Sequence, residues 1–254
     1  MGYIFDTHSH YDDKAFDGDR DQLLERLFAG NVCGIVNQGT DADSSKLSLE
    51  LAEKYDGMYA AVGLHPECLD EKSLGDIDII RQLAAHPKAV AIGEIGLDYH
   101  YNVSRELQKK VFSAMLELAG ELSMPVNIHD REAHGDTLEM LRKYHPQGIL
   151  HCFSGSVEMA REVVKLGMYI GIGGVVTFRN ARKTVDVVSD VPIEKIVLET
   201  DCPYLSPEPN RGRRNDSGNI MFTAEKIAEI KNISVEDVLT ITAENAKNVY
   251  GIGF

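Results

Sequence analysis

The sequence predicts a single-domain (β/α)8 barrel of the TIM type over residues 1–254, with its functional residues at the carboxyl ends of the strands. Eight short segments rich in β-branched and apolar residues recur along the chain and alternate with longer segments of helical spacing. The candidate strands are 3–7, 32–38, 58–64, 89–95, 125–129, 148–151, 168–172 and 196–199. A doubly wound open sheet is the alternative with the same alternation.

The clearest helix is predicted over residues 105–122. One face of this segment is apolar and the rest carries charge, as expected of a crossover helix that covers a sheet. The apolar stripe consists of Leu107, Val111, Met115, Leu118, Ala119 and Leu122. After the last strand, residues 203–218 form a long irregular loop, which favours a functional role. A helix near 222–231 and another that begins at Ser234 then complete the chain.

Composition indicates a globular protein without a membrane-spanning segment. Of its residues 43% are hydrophobic and 26% charged, and no apolar stretch is long enough to cross a bilayer. The opening residues MGYIFDTHSH lack the basic start and long apolar stretch of a signal peptide. The cysteines Cys33, Cys68, Cys152 and Cys202 are scattered, which is typical of reduced thiols in a cytoplasmic protein.

The charge balance limits the partners. The chain has 26 Lys and Arg against 40 Asp and Glu, so its formal net charge is −14. Because phosphate backbones attract basic surfaces, this charge argues against tight nonspecific binding of a duplex. It leaves room for a local site in which bound cations and a few arginines set the potential.

Six ionisable side chains follow different predicted strands at the same end of the barrel. They are His8 and His10 after the first strand, Glu94 at the end of the fourth, His129 of the fifth, His151 of the sixth and Asp201 of the eighth. In a (β/α)8 barrel, the carboxyl ends of the strands carry the active site. The placement therefore predicts that these six side chains converge.

Their chemistry predicts a centre with two divalent ions. Because His8 and His10 are two apart in an extended segment, both imidazoles can face one ion. Imidazole and carboxylate ligands suit zinc, manganese, nickel or iron, and magnesium prefers more oxygen. Glu94 has two oxygens with which to bridge two ions, and Asp201 can both bind an ion and accept the proton of an attacking water.

Three residues near the six are interpreted separately. His65, in the segment GLHP, is expected on the same rim, in contact with substrate or with solvent. Glu199 lies one layer deeper than Asp201, so we expect it to support the ligands rather than to bind an ion. Cys152 alternates with His151 and is expected to point away from the centre.

The motifs that contain these residues resemble those of the TatD-type metal-dependent deoxyribonucleases of the amidohydrolase-like superfamily. They are DTHSH at 6–10, VGLHP at 62–66, IGEIGLDYH at 92–100, IHDREA at 128–133, HCFSG at 151–155 and ETDCPYL at 199–205. The resemblance spans nearly the whole chain. It implies a (β/α)8 barrel and two-metal hydrolysis of DNA phosphodiesters, often from a 3′ end. It also implies that His8, His10, Glu94 and Asp201 bind one ion, and Glu94, His129 and His151 the other.

The expected function is therefore that of a deoxyribonuclease in which two metal ions activate water. Arg131, Arg211, Arg213 and Arg214 are candidate contacts to phosphate oxygens. Because the chain is acidic, we expect it to prefer single-stranded DNA or frayed ends. Hydrolysis of a small amide, lactone or phosphotriester, a non-catalytic metal-binding scaffold, and action on RNA or damaged nucleotides remain alternatives.

Overall fold

The computed structural model describes residues 2–253 and contains all eight predicted strands. The strands are Ile4–Ser9 (β1), Val32–Gln38 (β2), Met58–Val62 (β3), Ala89–Asp98 (β4), Val126–Arg131 (β5), Gly148–Leu150 (β6), Tyr169–Ile172 (β7) and Ile196–Leu198 (β8). They form one parallel sheet in which neighbours follow chain order from β1 to β8. A doubly wound sheet would instead reverse its strand order at a switch point.

The sheet curls until its first and last strands meet. Just beyond β8, Ser9 and Cys202 form an isolated parallel bridge. The backbone N–H of Asp201 donates to the carbonyl of His8 at 2.9 Å, and that of His10 donates to the carbonyl of Cys202 at 2.8 Å. The sequential order and this closure confirm the predicted barrel and exclude the open sheet.

Helices alternate with the strands and cover the outside of the barrel. They are Arg20–Ala29 (α1), Ala42–Ala52 (α2), Ser73–Leu83 (α3), Arg105–Leu122 (α4), His134–Tyr144 (α5), Val157–Lys165 (α6), Arg182–Asp190 (α7), Ile220–Lys231 (α8) and Val235–Tyr250 (α9). The bounds of α4 equal the prediction, and Val111, Met115, Leu118 and Ala119 of its stripe are buried. Among helices within residues 2–253, none has the length and apolarity needed to cross a bilayer.

The last helix, α9, closes the end of the barrel at which the strands begin. Ser234 caps it by accepting a hydrogen bond from the backbone of Asp237 at 3.0 Å, as the sequence predicts. The side-chain amide of Asn245 donates to the carbonyls of Ile193 and Ile196 at the start of β8, at 2.8 and 2.7 Å. The candidate functional residues lie at the opposite end of the barrel, where the strands end.

Candidate metal centre

The structure brings all six predicted residues together at the carboxyl end of the barrel. His8 lies within β1 and His129 within β5, whereas His10 and His151 directly follow β1 and β6. Strand ends differ from the sequence interpretation, because β1 continues past His8 to Ser9 and β5 continues past His129 to Arg131. The larger differences concern Glu94 and Asp201. Glu94 lies four residues before the end of β4, because β4 continues to pair with β5 as far as Asp98. Asp201 lies in the loop after β8 rather than at its end.

Glu94 occupies the middle of the cluster, and a break in strand register turns it there. Pairing between β4 and β5 shifts between Ile92 and Ile95, on either side of Glu94. A shift of this kind aims a side chain differently from regular alternation. A Cβ atom at Gly63 would lie only 2.5 Å from the carbonyl carbon of Gly93. The missing side chain of Gly63 therefore lets the end of β3 pack directly against the Glu94 backbone.

One carboxylate oxygen of Glu94 faces a first donor set, formed by His8, His10 and Asp201. Its Oε2 lies 3.2 Å from Nε2 of His8 and 3.6 Å from Nε2 of His10. The two imidazole nitrogens are 3.3 Å apart, and Oδ1 of Asp201 lies 3.7 Å from His8 and 3.4 Å from His10. Each of the two imidazole nitrogens thus lies within 3.7 Å of both carboxylate oxygens.

The other oxygen of Glu94 faces a second donor set, formed by His65, His129 and His151. Oε1 lies 3.0 Å from Nδ1 of His129, 3.0 Å from Nε2 of His151 and 3.6 Å from Nε2 of His65. The facing nitrogens of His129 and His151 are 3.3 Å apart. His65, predicted from sequence to contact substrate or solvent, therefore lies within reach of a metal ligand position.

The spacing of both donor sets fits a divalent cation. Ligands about 2.0 to 2.1 Å from a tetrahedral zinc ion stand about 3.3 Å from one another. The donor-to-donor distances of the first set, 3.2 to 3.7 Å, cluster around that value. The donors are imidazole nitrogens and carboxylate oxygens, which suit transition-metal ions of the zinc, manganese and iron type. The residues present therefore fit a metal centre.

The electrostatics of the cluster agree with this fit. Burial alone would raise the pKa of Glu94, but the imidazoles of His8, His65 and His151 hold it well below its usual range. Burial lowers the pKa of His8 to about 4. It also lowers the pKa of His65 to about 3. These two imidazoles are neutral at physiological pH, which is the form that binds a metal ion.

Two further imidazoles show that the site attracts positive charge. Burial disfavours the charged form of His10, but the hydrogen bond that His10 donates to Asp201 and the charge of Glu94 outweigh it and raise the pKa of His10 to about 9. The pKa of His129 is raised to about 10, because hydrogen bonds to Asp98 and Glu94 outweigh its burial. The carboxylates therefore produce a potential that favours cations.

A carboxylate outside the donor sets orients His129. Oδ2 of Asp98 lies 2.8 Å from Nε2 of His129, so the Nδ1 of the same ring faces Glu94. Asp98 is itself fixed, because its backbone N–H and carbonyl bind the side chain of Gln108 at 2.8 and 2.7 Å. Carboxylates in this position set the tautomer and direction of ligand imidazoles. Sequence reasoning missed Asp98, although its even spacing from Glu94 along β4 places the two on one face.

Glu199 lies beneath the rings of His8 and His151. These rings are stacked with centroids 3.7 Å apart. Oε1 of Glu199 accepts a hydrogen bond from the backbone of Cys152 at 2.5 Å and lies 3.7 Å from Nδ1 of His151. Among the described residues, Oε2 of Glu199 and Nδ1 of both imidazoles have no hydrogen-bond partner. Burial raises the pKa of Glu199 to about 7.

Asp6, a second residue that sequence reasoning missed, joins the two ends of the barrel sheet. Its carboxylate accepts hydrogen bonds from the backbone and hydroxyl of Thr200 at 3.0 and 2.6 Å and from the hydroxyl of Ser217 at 2.7 Å. It also accepts from the backbone N–H of His8 at 3.2 Å. Asp6 thus fixes the segments that carry His8 and Asp201. The only signal in the sequence was its even spacing from His8.

The donor sets open into a cavity of about 830 Å³. Carboxylates of Asp12, Asp13, Glu67 and Asp130 line it, and among its described lining residues Arg131 is the only Lys or Arg. Cys152 also lines it, contrary to the expectation from alternation, because β6 ends at Leu150 and Cys152 has a positive φ of 41°.

The three loop arginines lie elsewhere. Arg214 forms two hydrogen bonds of 2.7 Å with Asp19, and Arg211 lies 4.2 Å from the ring centroid of Phe178. Arg213 is exposed, and its carbonyl accepts a hydrogen bond from Ser206 at 2.6 Å. None of the three is among the described residues that line the cavity, and their contact with substrate stays a prediction.

Known proteins match the chain over almost its full length. Residues 5–251 match the family described as TatD related DNase. The metal-dependent hydrolase YabD of Bacillus subtilis is 42% identical over 98% of this chain and 99% of its own. The 3′-5′ ssDNA/RNA exonuclease TatD of Escherichia fergusonii is 34% identical over 99% of this chain and 100% of its own. The crystal structure of YjjV, a TatD homologue of Escherichia coli K12, superposes with a TM-score of 0.91 at 30% identity and covers 98% of both chains.

Proposed function

The chain belongs to the TatD-related DNase family of metal-dependent hydrolases, and from this premise we propose that it is an exonuclease that hydrolyses single-stranded DNA from a 3′ end. The observation that carries the proposal is the position of Glu94 between two donor sets at the bottom of an acidic cavity. An exonuclease relative whose name includes both ssDNA and RNA supports a single-stranded substrate, and it extends the substrate class to RNA.

The metal ligands follow from the two oxygens of Glu94. We assign His8, His10 and Asp201, together with Oε2 of Glu94, to one divalent ion. Oε1 of Glu94, His129 and His151 would hold the second ion. His65 is a further donor on that side, at 3.6 Å from the same oxygen. Zinc, manganese, nickel and iron suit this set better than magnesium, because imidazole nitrogens dominate it.

Ions held there would supply positive charge that polarises a phosphoryl oxygen and makes water acidic enough to attack near neutral pH. Asp201 accepts the proton of the attacking water. Its side chain is 21% exposed, whereas those of His8, Glu94 and His151 are 1 to 4% exposed. As the water oxygen bonds to phosphorus, the bond to the 3′ oxygen of the preceding nucleotide breaks. That oxygen takes up one proton from solvent water, and Asp201 afterwards releases its proton to solvent, so that the site returns to its starting state.

Charge explains why the end of a single strand is the expected substrate. Among the described residues, several carboxylates and one arginine line the cavity, and the whole chain carries a net charge of −14. A long duplex would bring two phosphate backbones against this surface, and repulsion would oppose it. One terminal nucleotide can enter the cavity and place its phosphate at the cationic centre, where Arg131 also lines the wall. The acidic rim thus favours ends over duplex interiors.

Digestion of end-labelled nucleic acids tests the proposal. With divalent metal present, we expect single-stranded DNA labelled at its 5′ end to shorten stepwise and the same strand labelled at its 3′ end to release mononucleotide at once. Blunt duplex should react more slowly and covalently closed duplex circles should not be nicked. A Glu94→Gln protein purified in parallel controls for contaminating nucleases. Equal or faster nicking of closed circles, or no cleavage of any strand, would contradict the proposal.

The alternatives have less support. A non-catalytic scaffold does not explain why Asp201 is the most exposed of the proposed ligands and borders the cavity. No feature of the described site favours hydrolysis of a small amide, lactone or phosphotriester.

A further inference from the structure

Two tyrosines expose their rings at the mouth of the cavity. Tyr204 is 55% exposed and Tyr101 is 37% exposed, and both line the cavity. Tyr101 comes three residues after the end of β4 and Tyr204 three residues after Asp201, so both stand on segments that carry the metal centre. Neighbouring Leu205, 37% exposed, adds apolar surface. Exposed aromatic surface beside a catalytic centre commonly marks a ligand contact.

Both tyrosines lie close to carboxylates, and a hydrogen bond fixes Tyr204. The hydroxyl of Tyr204 donates to Oδ2 of Asp13 at 2.8 Å. This hydrogen bond, with partial burial, raises the pKa of Tyr204 to about 12. Partial burial and the nearby carboxylate of Glu67 raise the pKa of Tyr101, and the guanidinium of Arg131 lies 5.8 Å from its ring centroid. A ring that is fixed at its hydroxyl loses little rotational entropy when a ligand packs on its face.

The charges around the mouth indicate which part of a nucleotide the rings can bind. Asp12, Asp13 and Glu67 line the cavity together with the tyrosines. A phosphate group would be repelled by these carboxylates, whereas an uncharged nucleobase would not. The phosphate would instead be attracted to the divalent cations that the deep donor sets around Glu94 would hold. The opening of the cavity can therefore bind the nucleobase, and the donor sets at its bottom can bind the phosphate once they hold cations.

We propose that Tyr101 and Tyr204 form a stacking platform for the nucleobases at the end of a single strand. This inference rests on the proposed nuclease function and adds the part of the substrate that the cavity mouth binds. Every base has an aromatic face, so the platform accepts all four bases with little discrimination. A paired base at a blunt end is covered by its neighbour and its partner strand, so the platform also favours unpaired ends.

Binding of a fluorescent strand tests the platform without requiring turnover. The probe is a DNA strand that carries 2-aminopurine as its 3′-terminal base and phosphorothioate at its last linkages. The protein contains no tryptophan, so it contributes little emission when the probe is excited. Stacking on tyrosine should quench the probe. We expect Tyr101→Ala and Tyr204→Ala each to weaken binding by about 5- to 100-fold and to reduce the quenching.

Matched variants separate stacking from folding and from hydrogen bonding. Tyr101→Phe and Tyr204→Phe keep the rings and should retain most of the affinity and quenching. Tyr3→Ala removes another exposed tyrosine, 63% exposed, before β1 at the other end of the barrel, and should bind like the unmodified protein. A strand that ends in an abasic nucleotide offers no terminal base to stack on. We expect the unmodified protein to bind this strand weakly, and the alanine variants to bind it with the same affinity as the unmodified protein.

Two results would overturn the platform. One is equal affinity of the alanine variants and the unmodified protein for the 2-aminopurine strand. The other is an equal loss by the alanine variants on abasic and base-containing strands, because the tyrosines would then not act on the base. If quenching depends on the tyrosines but no strand is cleaved with metal present, the platform stands and the nuclease function fails. If strands are cleaved independently of the tyrosines, the platform alone fails.

Discussion

Replacing Glu94 by glutamine is expected to remove bound metal and hydrolysis together. Both oxygens of Glu94 face donor sets, at 3.2 Å from His8 and 3.0 Å from His129 and His151. Glutamine keeps the size of the side chain but loses the negative charge that two cations share, and its amide nitrogen cannot be a ligand. Loss of a residue that only hydrogen bonds to a metal ligand lowers metal affinity by about 10- to 100-fold. Because Glu94 is itself a proposed ligand, we expect the metal affinity of Glu94→Gln to fall by more than this.

Glu199→Gln is the matched control for Glu94→Gln. It replaces a second buried carboxyl group in the same cluster, but Glu199 lies 3.7 Å from Nδ1 of His151, whereas Glu94 faces Nε2 of that ring. We expect it to lower metal affinity within the range of about 10- to 100-fold. Metal content by elemental analysis, with thermal melting to verify folding, measures both variants. A Glu94→Gln protein with an undiminished metal content would contradict the bridging role.

Replacing Asp201 by asparagine is expected to preserve the fold and much of the metal while lowering kcat by about 10²-fold or more. Asp201 has a positive φ of 58°, and asparagine tolerates this left-handed backbone conformation better than most residues. Its backbone hydrogen bonds, to His8 and from Tyr204, do not depend on the side chain. The variant therefore loses mainly the carboxylate that takes the proton from water.

Asp130→Asn provides the corresponding control. It removes the same charge from the lining of the cavity, but the Asp130 carboxylate is engaged with Nδ1 of His134 at 2.7 Å. We expect this variant to keep most of its kcat. Paired measurement of kcat and metal content on both proteins separates proton transfer from ligation. If Asp201→Asn bound two ions and kept a near-normal kcat, another acceptor would be needed, and Glu199 or His65 would be the next candidates.

The parts of the fold that the sequence predicted best were those set by periodic burial. Helix α4 begins and ends as predicted because its apolar stripe is long and regular. Strand ends were less certain, since β4 extends beyond Ile95 through pairing with β5 that no local pattern reveals. For that reason Asp98 was missed as the partner of His129. Cys152 was misplaced because strand alternation ceases after Leu150.

The convergence of the six candidate ligands followed from topology, because the carboxyl ends of all strands in a barrel meet on one face. The division of donors between the two oxygens of Glu94 depends on side-chain directions and a register shift, which sequence spacing does not encode. The contacts of the loop arginines could not be predicted from the sequence either. Arg214 pairs with Asp19, which lies 195 residues earlier in the chain, so only the folded structure brings them together.

The central claim is that the cluster around Glu94 holds divalent ions on which hydrolysis depends. The most direct measurement is elemental analysis of the purified protein, before and after exhaustive chelation, with the rate of oligonucleotide hydrolysis determined on the same samples. We expect two ions per chain, a loss of hydrolysis as they are removed, and its recovery when divalent metal is added back. A protein shown to be free of metal that still hydrolyses the oligonucleotide at its original rate would contradict the claim.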